Sequence, residues 1–223
     1  MRGFLIFIFL ISFSNTVRAQ VFDSYDFGFA LNSTDLLVDI DPLNDAMKSG
    51  LGVGLGFHVF KTLSPNMSLQ SGLELNIRNI YLDLPDQPIT NDQNEVIGTI
   101  EYTRARSAIY LLSVPFELQA NLGGYFDLAA GPRLDIKLGN HNGSYSYEYQ
   151  DQTIEREHPI FDNAETLTVG YSLGIGKKVY FANTNFSVVL RYNGDFSRMV
   201  RKPDFVDMRK SAFDFWIQIP LSK

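Results

Sequence analysis

The chain has 223 residues, a formal net charge of −6 and no cysteine. That length is one domain's worth, and the missing cysteines exclude a disulfide scaffold, an acylated-cysteine anchor and a thiolate metal site. A mildly acidic balance with no basic block argues against nucleic acid as a partner.

Met1-Arg2-Gly3 leads into an apolar run from Phe4 to Ile11, and after polar residues comes Val17-Arg18-Ala19-Gln20. A basic start, a short apolar segment and small residues before a cut are the layout of a secretory signal peptide. The run is about half the roughly 20 residues that a spanning helix needs. Val17 and Ala19 occupy the positions that signal peptidase reads. Residues 1–19 are therefore expected to be a cleaved signal peptide and 20–223 the folded domain. No other stretch approaches the length of a membrane helix, so membrane residence has to take the form of a barrel.

Strict apolar/polar alternation recurs along the rest of the chain, with almost no helical period. It predicts eight strands, at about 24–33, 50–62, 67–82, 102–121, 125–138, 166–181, 185–195 and 210–221. The second carries Leu51, Val53, Leu55, Phe57 and Val59 on one face and Gly52, Gly54, Gly56 and His58 on the other. The sixth sets Leu167, Val169, Tyr171, Leu173 and Ile175 against Thr168, Gly170, Ser172, Gly174 and Gly176. The last sets Phe213, Phe215, Ile217, Ile219 and Leu221 against Asp214, Trp216 and Gln218.

A soluble lipocalin-like barrel alternates too, with its apolar face inside. The polar face decides between them. It consists of Gly, Ala and Ser with isolated charges: Asp26, Glu74, Arg78, Glu117, Arg133, Asp135 and Arg191. Repeated Gly weakens a strand and offers water nothing. Inside a narrow barrel, small residues leave room for a few large charged ones. The apolar faces then meet lipid. Long connections (34–49, 83–101, 139–165, 196–209) alternate with tight turns (63–66, 122–124, 182–184), as in outer-membrane barrels with short periplasmic turns and long external loops. The expected fold is all-β, an eight-stranded antiparallel up-and-down transmembrane barrel with both termini in the periplasm.

Tyr110-Leu111-Leu112-Ser113-Val114-Pro115-Phe116-Glu117-Leu118 resembles the Tyr-Leu-x-Ile-Pro-Leu signature of the PorT-like outer-membrane barrels of the Bacteroidetes. Leu128-Ala129-Ala130-Gly131-Pro132 resembles that family's Gly-Pro strand. Ala19-Gln20 is a junction common in exported proteins of that phylum. The resemblance implies an eight-stranded barrel of the OmpA/OmpX-like kind, usually without an assigned activity. One member of the family is associated with protein secretion, a role that no motif here singles out.

No motif specifies catalysis, cofactor or metal. His58 falls towards the periplasmic end, the wrong end for an outer-membrane hydrolase. His141 and His158 lie in the third loop beside Ser144, Ser146, Glu155 and Glu157 without motif spacing. The glycines from Gly50 to Gly56 keep strand period and make no phosphate loop. Acidic residues in the first loop (Asp35, Asp39, Asp41, Asp45) and the second (Asp83, Asp86, Asp92, Glu95) match no calcium-loop spacing. Arg104 and Arg106, with Arg198, Arg201, Lys202, Arg209 and Lys210 around the fourth loop, form a basic belt suited to lipopolysaccharide phosphates. Tyr145, Tyr147 and Tyr149 alternate with polar residues, which predicts an exposed ribbon beyond the membrane.

In the lumen, Glu74, Glu117, Arg133, Arg191 and Asp214 are expected to form a structural charge network, with Glu117 diagonal to Arg133 and Arg191 opposite the glycines of the sixth strand. The reading that follows is a monomeric, non-enzymatic barrel in contact with outer-membrane lipid and lipopolysaccharide. Its structural or binding role resides in the external loops, through which it meets other envelope proteins. The alternatives are an accessory of a secretion or assembly machine and a lipid- or peptide-hydrolysing enzyme.

Overall fold

The computed structural model describes residues 22–38, 46–84, 86–90, 96–100, 102, 104–149, 152–158, 161–162, 164–181, 184–199 and 208–221. The expected signal peptide, 1–19, lies outside the described residues. The strands are β1 (Ser24–Val38), β2 (Met47–Ser64), β3 (Met67–Leu82), β4 (Gln87–Thr90), β5 (Val96–Ile100) and β6 (Ala105–Leu122). They continue with β7 (Phe126–His141), β8 (Gly143–Tyr149), β9 (Gln152–His158), β10 (Leu167–Phe181), β11 (Thr184–Asp195) and β12 (Met208–Leu221). Eight of them close into a barrel in the order β1-β12-β11-β10-β7-β6-β3-β2. Closure is made by the antiparallel seam from Tyr25↔Leu221 to Val38↔Met208. The hairpins β4–β5 and β8–β9 form two separate sheets within long connections.

Alternation sets the two faces. On β2, Leu51 is 74% and Leu55 47% exposed, while Gly52, Gly54, Gly56 and His58 between and beyond them are buried inside the barrel. In a soluble protein so many exposed Leu, Ile, Val and Phe would be a liability. In a bilayer they are the lipid contact. The closed ladder leaves no sheet edge for lipid to solvate.

The tight turns share one end with the described chain ends, and the long connections share the other. The turn after β6 uses Gly123 and Gly124 at φ 61° and 79°. Tyr125 N donates to the Leu122 carbonyl at 3.1 Å across it. Two consecutive left-handed residues turn the chain tightly between Leu122 and Phe126, and glycine adopts them without strain.

Two features differ from the sequence expectation. β1 continues to Val38 and β2 begins at Met47, so both ends of the stretch 34–49 are strand rather than loop. There the inward positions become apolar (Leu36, Val38, Met47), and the two-faced pattern that marks a membrane strand disappears. The third connection also folds beyond β7 as its own ribbon, β8–β9, instead of extending that strand's hairpin. The two motifs that resemble the PorT-like family face each other on β6 and β7, where Pro115 pairs with Arg133. A Cβ on Gly131 would collide with the Phe116 carbonyl, so only glycine permits this approach.

Candidate functional site

The lumen divides into three storeys, each set by its inward residues. The middle storey is charged and fully buried. Arg78 grips Asp214 with both prongs, Nη1 to Oδ1 at 2.8 Å and Nη2 to Oδ2 at 3.0 Å. Asn193 adds a hydrogen bond to Asp214 Oδ2 at 2.8 Å. Arg191 donates to Glu74 and, through Nη2, to Glu117 Oε2 at 3.1 Å, with its Nε 3.0 Å from Glu117 Oε1. Arg133 Nε donates to Asp135 Oδ1 at 2.7 Å and its Nη2 to Ser113 Oγ at 2.7 Å. The remaining Nη1 of Arg133 lies 3.8 Å from Glu74 and 3.7 Å from Asp214. Arg133 thereby joins the two clusters. Lys210 extends the network by pairing with Asp135 and lying 3.4 Å from Asp195.

Bidentate, charge-assisted bonds of this kind are what make buried ions tolerable. Arg191 reaches the centre because its neighbour in register is Gly174. Beneath these charges His58 bonds Glu74 Oε1 through Nε2 at 3.0 Å and Gln218 through Nδ1 at 3.4 Å. Trp216 stands edge-on to His58, with ring centres 5.3 Å apart.

The structure brings Glu74, Glu117 and Arg191 into direct contact, and ties Asp214 and Arg133 to them. The pairing expected between Glu117 and Arg133 is corrected: Glu117 takes Arg191 from the far side of the barrel, and Arg133 takes Asp135. Reach across a closed lumen competes with reach along a ladder, and strand register alone does not foresee it. Lys210 is also corrected. It is buried in the lumen and not on the rim, as β12 starts at Met208 and its even-numbered residues face inward. That period was visible in the sequence. Arg78 and Asp135 were recognised as lumen charges, but their place in the network was not.

The storey at the long-loop end is apolar. Leu36, Val38, Ala46, Met47, Ile80, Leu82, Ile109 and Leu111 from the barrel walls meet Phe161 and Met199 from two different connections. Phe161 is 0% and Met199 2% exposed. Backbone bonds hold the pair down: Glu165 N to the Met199 carbonyl at 2.6 Å and Met199 N to the Met208 carbonyl at 2.8 Å. Above this core stands the ribbon β8–β9. Tyr145 and Tyr147 contact Tyr102, at 5.9 and 5.5 Å between ring centres. Both tyrosines are half-buried. Arg104 and Arg106 are exposed at this end, Arg104 bonded to Asp83 at 3.1 Å and Arg106 to Asn79 at 3.3 Å. Arg201 and Lys202 lie outside the described residues, as do Asp39, Asp41, Asp45, Asp92 and Glu95 of the acidic loops. Among the described residues no group of His, Asp and Glu is arranged to hold a metal ion. His141 is exposed.

A closed eight-stranded barrel with a lipid-type outer face and a charged lumen defines a class of protein rather than a single one. A sequence profile described as outer membrane protein beta-barrel domain matches residues 13–198. The chain belongs to that family.

The solved structures that this family member is similar to include Neisserial surface protein A, at 7% identity and a TM-score of 0.45 over 90% of this chain and 99% of that one. Another is Ail, the attachment invasion locus protein of Yersinia pestis, in complex with sucrose octasulfate. It shows 11% identity and a TM-score of 0.42 over 90% and 100% of the two chains. The outer membrane protease OmpT of Escherichia coli follows at 8% identity and a TM-score of 0.34, over 91% and 98%. No curated protein sequence matches the chain.

Proposed function

We propose that this chain is a non-enzymatic outer-membrane barrel whose long-loop end is a preformed external binding head, with the barrel as its anchor. The observation that carries the reading is the burial of Phe161 and Met199 in one apolar core over the barrel mouth. Loops fixed by a core present a constant surface, and such a surface binds without the ordering cost of flexible loops. The filled middle storey supports an anchor over a channel, because an eight-stranded interior is just wide enough for side chains to fill. Against hydrolysis stands His58, with both ring nitrogens engaged deep in the lumen.

Within this proposal residues 1–19 are a cleaved signal peptide, both termini lie in the periplasm and the protein is a monomer of the PorT-like branch. Arg104 and Arg106, with Arg201 and Lys202, contact lipopolysaccharide phosphates, and the head meets other envelope proteins. Crosslinking on native outer membranes, followed by pull-down, tests the head. Specific partners should be captured by the wild type and lost with Phe161→Ala, at unchanged barrel level. Equal capture by both proteins would sink the reading. Capture of translocation components would turn it towards the secretion accessory.

A further inference from the structure

The third storey, at the turn end, is not filled. Several of its inward residues are small (Ser68, Ala129, Gly176, Ser187, Val189), and with Phe60, Gln119 and Tyr180 they line a cavity of about 450 Å³. Gln218 lines its inner end and leads to His58 and the charges above. The cavity is thus a blind cup that opens only away from the charge network. Its size falls within the range of roughly 300–1,000 Å³ that small ligands occupy.

The polar groups in the cup are disposed for a ligand with two ends. Asp26 on β1 and Lys178 on β10 both line it. Neither belongs to an ion pair among the described residues, in contrast to every charge of the middle storey. Lys178 is nonetheless near enough for its charge to act on Asp26. The other carboxylate of the lining, Asp127, already accepts a hydrogen bond from Asn121 at 2.7 Å. Three amide side chains line the cup as well: Gln119 is bonded to Gln70 and Ser68 and Gln218 to His58, which leaves Asn185 to face a ligand. A half-buried carboxylate without a cation partner is costly, and a ligand cation would relieve it.

We propose that the cup binds short peptides with free ends. The ammonium of the peptide meets Asp26, its carboxylate meets Lys178, and the Asn185 amide bonds its backbone. The source of such peptides would be the periplasm, which rests on the orientation proposed above. The binding chemistry itself does not depend on that orientation.

The test uses the full mature chain in detergent micelles, titrated with tri-alanine and followed by NMR. Saturable shifts confined to the cup are expected with the free peptide. Acetylation of its N-terminus or amidation of its C-terminus should weaken binding at least tenfold. Asp26→Asn should remove the preference for a free amine, and Lys178→Met the preference for a free carboxylate. Heat-modifiable migration checks that each variant has folded. Should a variant fail to fold, the blocked peptides on the wild type still decide. Absence of saturable binding, or equal binding of free and blocked peptides, overturns the proposal. The orientation is tested separately with Pro65→Cys, a single thiol on a turn of a cysteine-free chain. Labelling of intact cells by an impermeant maleimide would reverse the orientation without touching the peptide result.

Discussion

The charged middle of the lumen and the apolar head solve the same problem, filling the inside of a barrel, by opposite means. In the middle, each ion is held by geometry and tolerates the loss of no partner. In the head, Leu, Ile, Met and Phe side chains fill volume, and a loss is felt in proportion to the space left behind. The first is intolerant of single changes, and the second responds to them gradually.

The sharpest break of that contrast is Arg191→Leu, which takes the cation from Glu117 and leaves Glu74 only His58 and the more distant Arg133. Removing one partner of a buried ion pair costs about 3–5 kcal/mol. Urea unfolding of the reconstituted barrel should show a loss of that size for the whole molecule. An indifferent midpoint would mean that water already reaches the charges.

Phe161→Ala should cost about 3 kcal/mol, but the cost should fall on the head. Limited proteolysis of the third connection should accelerate while heat-modifiable migration of the barrel stays as it was. If both change together, head and barrel unfold as one unit and the comparison fails.

A double-mutant cycle sharpens the corrected pairing. Glu117→Leu combined with Arg191→Leu should show coupling of about 1–3 kcal/mol, and Glu117→Leu combined with Arg133→Leu should be close to additive. At the exposed rim, Arg104→Ala should change stability by no more than about 0.5 kcal/mol, since Arg104 and Asp83 form a surface pair.

What could be read from the sequence follows from which forces have a period. Lipid on one side and a narrow lumen on the other impose alternation, so Leu51 to Val59 on β2 and Phe213 to Leu221 on β12 declared their faces. The alternation of long and short connections declared that the turns share one end of the barrel and the long connections the other. Phe161 and Met199 lie in connections without periodicity, and nothing local distinguishes them from exposed loop residues. Their burial depends on Leu36, Ile80 and Ile109, which are distant in sequence. Partner choice in the lumen is non-local in the same way. Glu117 could be placed on the right face and height, but Arg191 enters from β11 across the barrel axis, which no ladder encodes. Lys210 is a different kind of miss, because the even-numbered period of β12 already included it.

The chain has one tryptophan, Trp216, and its position gives the molecule a gauge of its own assembly. The indole is fully buried at the seam where the last strand meets the first, opposite Ala30. A Cβ on Gly28 of β1 would lie 3.0 Å from it, and one on Gly56 of β2 would lie 2.9 Å from it. It reaches that dry site only when β12 docks on β1. Its emission therefore reports a single event, the joining of the two ends of the sheet, without an attached label. During insertion into lipid vesicles, a blue shift of that emission would time closure separately from membrane entry, which the outward Phe and Tyr residues undergo whether or not the seam has formed.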